Sequence, residues 1–252
     1  MFINATTHEP YIRLPHPLSN FIVTPPRDSD VEAFTLQMND PNVTTWLSSL
    51  PSPYLLEHAR ERLDTFTKKY TAQHLAELEA AADDQSGRSG AVGGLVTNTV
   101  REVLEDGSEV MAGTLWFRRS GEMRVCVGAD VTAEEAERLS KENLARPNGD
   151  PEIVWMYGNH LATSHHGRGI TTVLLRTLLH EWAVPRMGVR KMSAGAIQGN
   201  EASVRVMQKN GFKYRELLEN ERGLVVNGVA KNLHMLEWEF DEAGSSTAGS
   251  RC

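Results

Sequence analysis

The sequence contains little cysteine and no long apolar run. Cys126 and Cys252 are the only 2 cysteines, too few for a disulfide framework or a zinc site. No stretch of about 18 or more apolar residues occurs, so we expect no transmembrane helix. Residues 1–20 lack a basic segment followed by an apolar core, so we expect no signal peptide. Together these absences predict a cytoplasmic location.

Basic residues are scarce as well. The chain has 26 lysines and arginines against 33 aspartates and glutamates, which gives a formal net charge of −7. Nucleic-acid-binding proteins usually carry a basic surplus, so we expect neither a nucleic-acid nor a membrane partner. Internal repeats are also absent. With 40% hydrophobic and 23% charged residues, the composition is typical of a globular protein whose length fits one large domain.

The N-terminal half predicts strands and helices separated by prolines. We expect a strand with turns within 12–23, a helix capped by Asp28 or Ser29, and a long helix over 57–82. A loop rich in glycine, serine and aspartate follows at 83–94. Asp106-Gly107 lies between two β-type runs, 97–104 and 109–117, which predicts a hairpin because glycine tolerates the positive φ of the turn.

The C-terminal half alternates strand and helix. A charged helix capped by Thr132 is expected after residue 132, and we interpret it as an insertion. We then predict a strand over 151–162, a helix over 170–184 ended by Pro185, a strand over 191–197, a helix capped by Asn200 and two closing strands at 212–217 and 232–240. This order indicates an α/β protein. We expect one domain, 1–240, with insertions near 72–94 and 121–150, and a disordered tail at 241–252.

The segment 163–169 joins the predicted strand to an amphipathic helix and contains Gly167 and Gly169. A helix start leaves backbone N–H groups without partners and carries partial positive charge. Glycines allow an anion to approach the backbone, and Arg168 adds a charged fork of donors. The segment therefore predicts either a pyrophosphate site or simply a tight strand-to-helix turn.

Other anion-binding motifs fit this segment less well. The dinucleotide-binding motif needs a third glycine where Thr172 stands, and no Gly-Lys-Ser/Thr follows for a nucleotide-binding P-loop. A metal site built on His160, His165 and His166 is a further alternative, but no acidic or thiol partner has ligand spacing. We therefore expect no metal.

Two segments about 30 residues apart resemble a known family. His165-His166-Gly167-Arg168-Gly169-Ile170 resembles motif A of the GNAT superfamily of N-acetyltransferases. Asn200-Glu201-Ala202-Ser203, followed by Lys209-Asn210-Gly211-Phe212, resembles motif B. The N-terminal pattern with Thr24-Pro25-Pro26-Arg27-Asp28 and Asn39-Asp40-Pro41 is similar to the RimJ/RimL-like branch, which acetylates protein N-termini and other amines. The resemblance covers residues 11–240 apart from 83–94 and 130–148.

The resemblance implies an α/β (α+β) GNAT fold: a mixed, mostly antiparallel sheet whose splayed central strands hold acetyl-CoA. Leu161 and Thr163 would offer backbone groups to the pantetheine arm, and Asn200 would bind the cofactor near its thioester end. Ser203 comes three residues after Asn200, so one helical turn would place it near the cofactor sulfur as well. The residues that would enclose the pyrophosphate are His166, Gly167, Arg168, Gly169, Ile170 and Thr171.

Two positions depart from the family pattern. Ser164 stands where glutamine or arginine is usual, which should be tolerated because backbone amides make most of the pyrophosphate contacts. Met207 stands where many relatives have a tyrosine that acts as general acid. Because methionine cannot donate a proton, the acid must be another group or water.

The expected activity is acetyl transfer from acetyl-CoA to a primary amine by direct attack in a ternary complex. We favour Ser203 as the general acid, with Tyr214, just past motif B, as the second candidate. Candidates for the base are Glu152 and His160, or a chain of water molecules. The alternative is a catalytically silent acyl-CoA-binding module. The amine belongs to a small molecule or a peptide, and both a monomer and a homodimer are compatible with the sequence.

Overall fold

A computed structural model of the chain describes residues 1–47, 50–83, 90–123, 126, 131–219, 224–226 and 228–241. Much of the predicted loop at 83–94, part of the insertion at 121–150, and the tail beyond residue 241 lie outside the described residues.

The described strands form one large sheet and a small hairpin. The strands are β1 (Phe2–Ile3), β2 (Pro10–Arg13), β3 (Phe21–Thr24), β4 (Thr99–Val103), β5 (Glu109–Arg119), β6 (Val154–Leu161), β7 (Lys191–Ile197), β8 (Lys213–Leu218), β9 (Val225–Val226), β10 (Val229–Ala230) and β11 (Leu233–Glu239). The sheet has nine of them in the order β1-β2-β3-β4-β5-β6-β7-β11-β8, and β9 pairs with β10 alone.

The described helices lie between these strands. They are α1 (Asp30–Gln37), α2 (Pro41–Thr44), α3 (Leu56–Arg62), α4 (Lys68–Asp83), α5 (Ala133–Ala145), α6 (Ile170–Leu178), α7 (Val184–Met187) and α8 (Glu201–Lys209). A π-helical turn, Leu63–Thr67, joins α3 to α4, and a second, Leu179–Ala183, joins α6 to α7. The long helix predicted over 57–82 is therefore present with one π-turn inside it.

Several local predictions are confirmed. Thr132 caps α5 by accepting a hydrogen bond from the Glu135 N–H at 3.2 Å. Gly107 takes φ +83° in the turn between β4 and β5, as the hairpin signal predicted. Ser29 occupies the N-cap position of α1, but its side chain makes no capping hydrogen bond.

The prediction that Pro185 ends the helix after residue 170 is wrong. The helical path continues through the π-turn into α7, and Pro185 is the second residue of that short helix. A proline is tolerated there because its missing N–H needs no intrahelical acceptor. Gly188, with φ +68°, provides the left-handed stop instead.

The core lies on one face of β6. Trp155, Tyr157 and Leu161 are buried there against the apolar side of α6. The α6 leucines at this contact are fully buried, and each contributes roughly 1.5–3 kcal/mol to the free energy of unfolding. The opposite face of β6 carries Met156, Gly158 and His160 and is covered in part by α1.

The two central strands separate part of the way along their length. β6 and β7 are parallel, and their register pairs only residues 154–156 with 191–193. Beyond Met156, β6 keeps its pairing with β5 up to Leu161, and β7 keeps its pairing with β11 up to Ile197. A wedge therefore opens between the two strands, and its mouth faces the segment that follows β6. The fold is the mixed, mostly antiparallel GNAT arrangement that the resemblance implied.

A helix must be both long and apolar to cross a bilayer. No helix within the described residues meets both conditions.

Candidate active site

The segment after β6 turns sharply into α6. A single 3-10 turn, Thr163–His165, comes first. Gly167 and Gly169 then take φ angles of +72° and +75° on either side of Arg168. Other residues adopt this left-handed region only at a cost, so the two glycines are what allows the turn.

The turn presents a row of unused backbone donors. Among the described residues, no hydrogen bond is donated by the N–H groups of Gly167, Arg168, Gly169, Ile170 and Thr171. The first bonds of α6 run from Thr172 and Val173 back to the Gly169 carbonyl. Five successive N–H groups at a helix start therefore form a positively polarised site for an anion.

The space in front of these donors is open. A Cβ atom built on Gly167 or on Gly169 would find no other heavy atom within 4 Å. A phosphate could therefore approach the backbone at either position. By this test the residues present fit the pyrophosphate of a CoA-type cofactor.

Side-chain contacts fix the turn on both sides. The Thr163 hydroxyl donates to Asp40 Oδ2 at 2.6 Å, and this bond is the main cause that lowers the pKa of Asp40. The His166 Nε2–H donates to the Leu161 carbonyl at 2.9 Å. The backbone of Leu161 was expected to offer groups to the pantetheine arm, and its carbonyl thus already accepts one hydrogen bond.

Arg168 is already paired. Its guanidinium donates to Glu102 Oε1 on β4 at 2.6 Å and lies over the Phe21 ring, 5.1 Å from the centroid. The hydrogen bond from Arg168 is the main cause that lowers the pKa of Glu102. His165 is buried and also donates to Glu102, at 3.1 Å. The Arg168 guanidinium therefore contacts Glu102 on β4 and does not extend into the open space in front of the N–H groups.

His160, the last residue but one of β6, is held between two neighbours. Its Nε2 lies 2.9 Å from Gln37 Oε1, and its Nδ1 lies 3.1 Å from the Thr114 hydroxyl. Gln37 donates its amide N–H to the Met111 carbonyl at 3.1 Å, so its Oε1 is the acceptor facing His160. His160 is therefore the neutral tautomer with the proton on Nε2, and its Nδ1 accepts from Thr114.

The surroundings of His160 disfavour its charged form. Desolvation by burial, followed by the charges of Arg62 and His166, lowers its pKa from 6.5 to about 3. Phe34 packs edge-on against the ring at a centroid distance of 5.4 Å. A neutral imidazole in this position can accept a proton only if Nδ1 gives up the Thr114 hydroxyl.

Asn200 and Ser203 meet at the start of α8. Asn200 caps the helix, because its Oδ1 accepts from the Ser203 N–H at 3.1 Å. The Ser203 side chain is half-buried, and within the described part of the chain its hydroxyl has no hydrogen-bond partner. Met207, one turn further along, is fully buried in the core. Position 207 therefore faces the core. A side chain there could donate a proton to the cofactor only by moving out of the core.

Two of the predicted catalytic candidates lie elsewhere. Glu152 precedes the first residue of β6 and pairs with Lys191 at 2.7 Å. His160 lies six residues beyond Val154, the first residue of β6, which is roughly 20 Å along the strand. Tyr214 on β8 is exposed, and its hydroxyl lies 3.3 Å from His234 Nδ1. The structure thus does not bring Glu152 together with His160 and Ser203.

A groove lies along β5, next to the elements that hold His160. It has a volume of about 860 Å³ and runs between β5 on one side and α3 with α4 on the other. Phe34 and Thr114 belong both to its lining and to the contacts of His160. The groove therefore borders His160 through these two side chains, although no residue of β6 lines it.

Close packing shapes the floor of this groove. A Cβ on Gly158 would lie 2.1 Å from Trp116 Cζ2, so only glycine lets the indole lie across β6. A Cβ on Gly113 would lie 2.1 Å from the His160 carbonyl oxygen. Gly113 therefore sets how closely the bulge of β5 approaches the end of β6.

Neither a metal centre nor a thiol nucleophile emerges from the described residues. They contain no group of three or more histidine, cysteine, aspartate or glutamate side chains arranged to hold a metal ion. Cys126 is buried, and desolvation raises the pKa of its thiol.

Several of these contacts were missed from the sequence. Asp40, Glu102, Gln37 and Thr114 fix the turn and His160, yet they come from four separate elements. The one available signal was the Asn39-Asp40-Pro41 segment, which had been noted only as a resemblance.

Comparisons with known proteins agree with this geometry. Residues 105–213 match the family model of the acetyltransferase (GNAT) domain. The GNAT acetyltransferase domain that the family model assigns to residues 105–213 agrees with the fold and with the unused donors. A comparison with curated proteins gives no match.

Solved structures share the fold at low sequence identity. RimL, a ribosomal alpha-N-protein acetyltransferase in complex with coenzyme A, is 16% identical with a TM-score of 0.57, over 92% of this chain and 99% of RimL. The ribosomal-protein-S5-alanine acetyltransferase of Vibrio fischeri is 14% identical with a TM-score of 0.57, over 92% and 98%. The microcin C7 self-immunity acetyltransferase MccE, in complex with acetyl-CoA and AMP, is 13% identical with a TM-score of 0.54, over 90% and 97%.

Proposed function

We propose that this protein is an N-acetyltransferase that moves the acetyl group of acetyl-CoA to a primary amine by direct attack in a ternary complex. The observation that carries the proposal is the row of five unused N–H groups from Gly167 to Thr171 at the mouth of the wedge between β6 and β7. The N-terminal motifs, together with the fold shared with RimL, favour the RimJ/RimL-like branch.

On the cofactor side, the backbone does most of the binding. Residues 166–171 would hold the pyrophosphate, and the backbone of Leu161 and Thr163 would contact the pantetheine arm along the wedge. Asn200 and Ser203 would lie near the thioester. Acetyl-CoA supplies an acetyl group that is activated as a thioester. The edge of β6 that faces the wedge can offer an N–H group to the developing oxyanion.

On the acceptor side, the amine must lose a proton before it can attack. The groove borders His160 through Thr114, and His160 Nδ1 holds the Thr114 hydroxyl in place. Because His160 is a weak base in this setting, we assign proton removal to water and give His160 the role of orienting Thr114. Glu152 is left out of the proposal because of its distance along β6.

The departing thiolate needs a proton or a hydrogen bond. The Ser203 hydroxyl is the candidate donor, since it is half-buried and has no partner among the described residues. Cys126 takes no part, because its buried thiol with raised pKa is a poor nucleophile. No covalent enzyme intermediate is needed.

One observation favours a second candidate, a catalytically silent acyl-CoA-binding module. Met207 cannot donate a proton and is buried in the core. Such a module would bind CoA without turnover. Cytoplasmic location and oligomeric state stay predictions of the sequence.

Two measurements test the proposal. CoA and acetyl-CoA should each raise the melting temperature, and CoA should be released from acetyl-CoA when primary amines are added. Binding without release above the hydrolysis background, across small amines and peptides, would identify the silent module. If neither compound changes the melting temperature, the cofactor site is wrongly assigned.

A further inference from the structure

The groove beside His160 is lined by arginines, although the protein as a whole is acidic. Among the described residues its lining holds four arginines, one aspartate and no lysine or glutamate, while the formal net charge of the chain is −7. The positive lining is thus a local feature of the groove. The arginines are Arg62, Arg118, Arg119 and Arg146.

The single acidic residue of the lining does not neutralise them. Asp30 is buried and binds Arg101 through both carboxylate oxygens, at 2.8 Å each. Arg146 pairs with Asp150 at 3.1 Å, outside the lining. The charges of Asp30 and Arg146 are therefore both compensated.

Arg62 and Arg118 keep their charges free. Within the described part of the chain, neither forms an ion pair, and both are exposed. Instead, Arg62 lies over the Phe34 ring at 5.6 Å and Arg118 over the Trp116 ring at 4.4 Å from the centroid. Stacking holds a guanidinium in position while leaving its N–H donors available.

Arg119 supports the same polarity. Its guanidinium donates to the carbonyls of Leu144 and Arg146 and to the Asn148 side chain, and desolvation lowers its pKa. Its hydrogen-bond partners are thus neutral groups, and the nearby carboxylates of Glu77 and Asp150 offset its charge only in part, because its pKa stays lowered.

A positively lined groove is a poor site for a simple cationic amine, which like charges would repel. It suits an acceptor in which the amine is attached to a carboxylate or phosphate, because guanidinium groups bind such oxyanions with charge-assisted hydrogen bonds. The volume of about 860 Å³ is within the range of small-molecule sites. The rings of Phe34 and Trp116 offer apolar surface for the rest of the molecule.

We infer that the acceptor is a small primary amine that carries an oxyanion, and that Arg62 and Arg118 bind that oxyanion while the amine points toward the end of β6. This inference rests on the proposed function. Arg62 also lies close enough to influence His160, which places positive charge near the reacting end of the groove. Such a charge favours the neutral, reactive form of the amine.

The test uses matched pairs of acceptors with the purified full-length protein. Phenylalanine is compared with phenethylamine, and phosphoethanolamine with ethanolamine, in a CoA-release assay. We expect kcat/KM to be about tenfold or more higher for the oxyanion member of at least one pair. The two pairs distinguish a carboxylate from a phosphate as the bound group. Equal values within both pairs would overturn the inference.

Arginine variants separate a specific site from general attraction. Arg62→Gln and Arg118→Gln should each reduce the preference for the oxyanion member about tenfold, with the affinity for CoA unchanged. Arg60→Gln is the matched control, because Arg60 lies on the same helix but does not line the groove. An equal loss in Arg60→Gln, or none in the other two, would contradict the assignment.

A binding measurement keeps the inference separate from catalysis. Titration of phenylalanine or phosphoethanolamine into the CoA-saturated protein should show binding that Arg62→Gln weakens. Absence of turnover with intact binding would defeat the proposed function alone. Absence of binding, or a strong preference for an acidic peptide over every small amine, would defeat the inference.

Discussion

The Arg168 guanidinium lies 2.6 Å from the Glu102 carboxylate, so the arginine of the anion-binding turn is already neutralised by a neighbouring strand. Glu102 also accepts from His165 and from the Asn20 side chain. Its carboxylate thus ties β4 to the turn. The backbone N–H groups are left as the main donors for a bound anion.

Arg168→Gln should therefore weaken CoA binding only slightly. One charge at about 6 Å from a phosphate in water changes the affinity for CoA by about threefold, whether the charge is removed or freed from its ion-pair partner. By the same reasoning, Glu102→Gln should leave Arg168 unpaired and tighten binding by a similar factor. Calorimetric titration with CoA measures both. A loss of a hundredfold in Arg168→Gln would show that Arg168 leaves Glu102 to hold the pyrophosphate.

Gly167→Val should abolish CoA binding while keeping the fold. A side chain at φ +72° costs about 1–2 kcal/mol of unfolding free energy and places methyl groups where the anion would sit. The loss in affinity should exceed about a hundredfold, because several N–H contacts are blocked together.

Gly107→Val is the matched control for this variant. Gly107 has a similar φ of +83° and equally open surroundings, but it lies in the β4–β5 turn, outside the row of N–H groups at 167–171. Both variants should lose a few degrees of melting temperature, and only Gly167→Val should lose CoA. Retained affinity in Gly167→Val would refute the pyrophosphate assignment.

His160 should make the protein less stable in acid. Its pKa is about 3 in the folded state and 6.5 ordinarily, so the unfolded chain binds a proton first. The free energy of unfolding should then fall as the pH drops from about 6.5 to about 3. Above pH 6.5 the imidazole is neutral in both states, so the full stability is retained there. His160→Asn should flatten this dependence, measured by urea unfolding at several pH values.

The pH dependence of activity gives a second readout for His160. Because its neutral form persists throughout the range near pH 7, it should produce no inflection in kcat/KM between about pH 5 and 8. An inflection in that range that disappears in His160→Asn would show that His160 is the base after all.

Local signals in the sequence predicted most of the fold. Thr132, Asn200 and the Asp106-Gly107 turn act through neighbours a few residues away, so their effects could be read directly. Pro185 was misread because the π-turn before it shifts the helical register, and no residue pattern signals that turn.

Only the cofactor-binding side of the candidate site could be predicted from the sequence. The donors of 167–171 come from one continuous segment, so glycine spacing revealed them. The groove is assembled from α1, α3, β5 and the segment before β6, and the stacking of Arg62 on Phe34 depends on how those elements pack. Spacing along the chain carries no information about such contacts.

Ser203→Ala should separate a proton donor from a packing residue. If the hydroxyl protonates the leaving thiolate, kcat should fall about a hundredfold, in the range usual for a general acid. CoA affinity should stay the same, because the Ser203 backbone N–H still donates to Asn200. Steady-state kinetics with calorimetric CoA titration measure both quantities.

Asn200→Ala provides the contrast at the same helix start. It removes the cap of α8 and should cost about 1 kcal/mol of unfolding free energy, visible as a lower melting temperature. Ser203→Ala should leave the melting temperature nearly unchanged, since its hydroxyl has no partner among the described residues.

An acetyl thioester of a more acidic thiol needs less help in leaving, so it should recover part of the rate lost in Ser203→Ala. If kcat in that variant equals the wild-type value, water protonates the thiolate and Ser203 has no catalytic role.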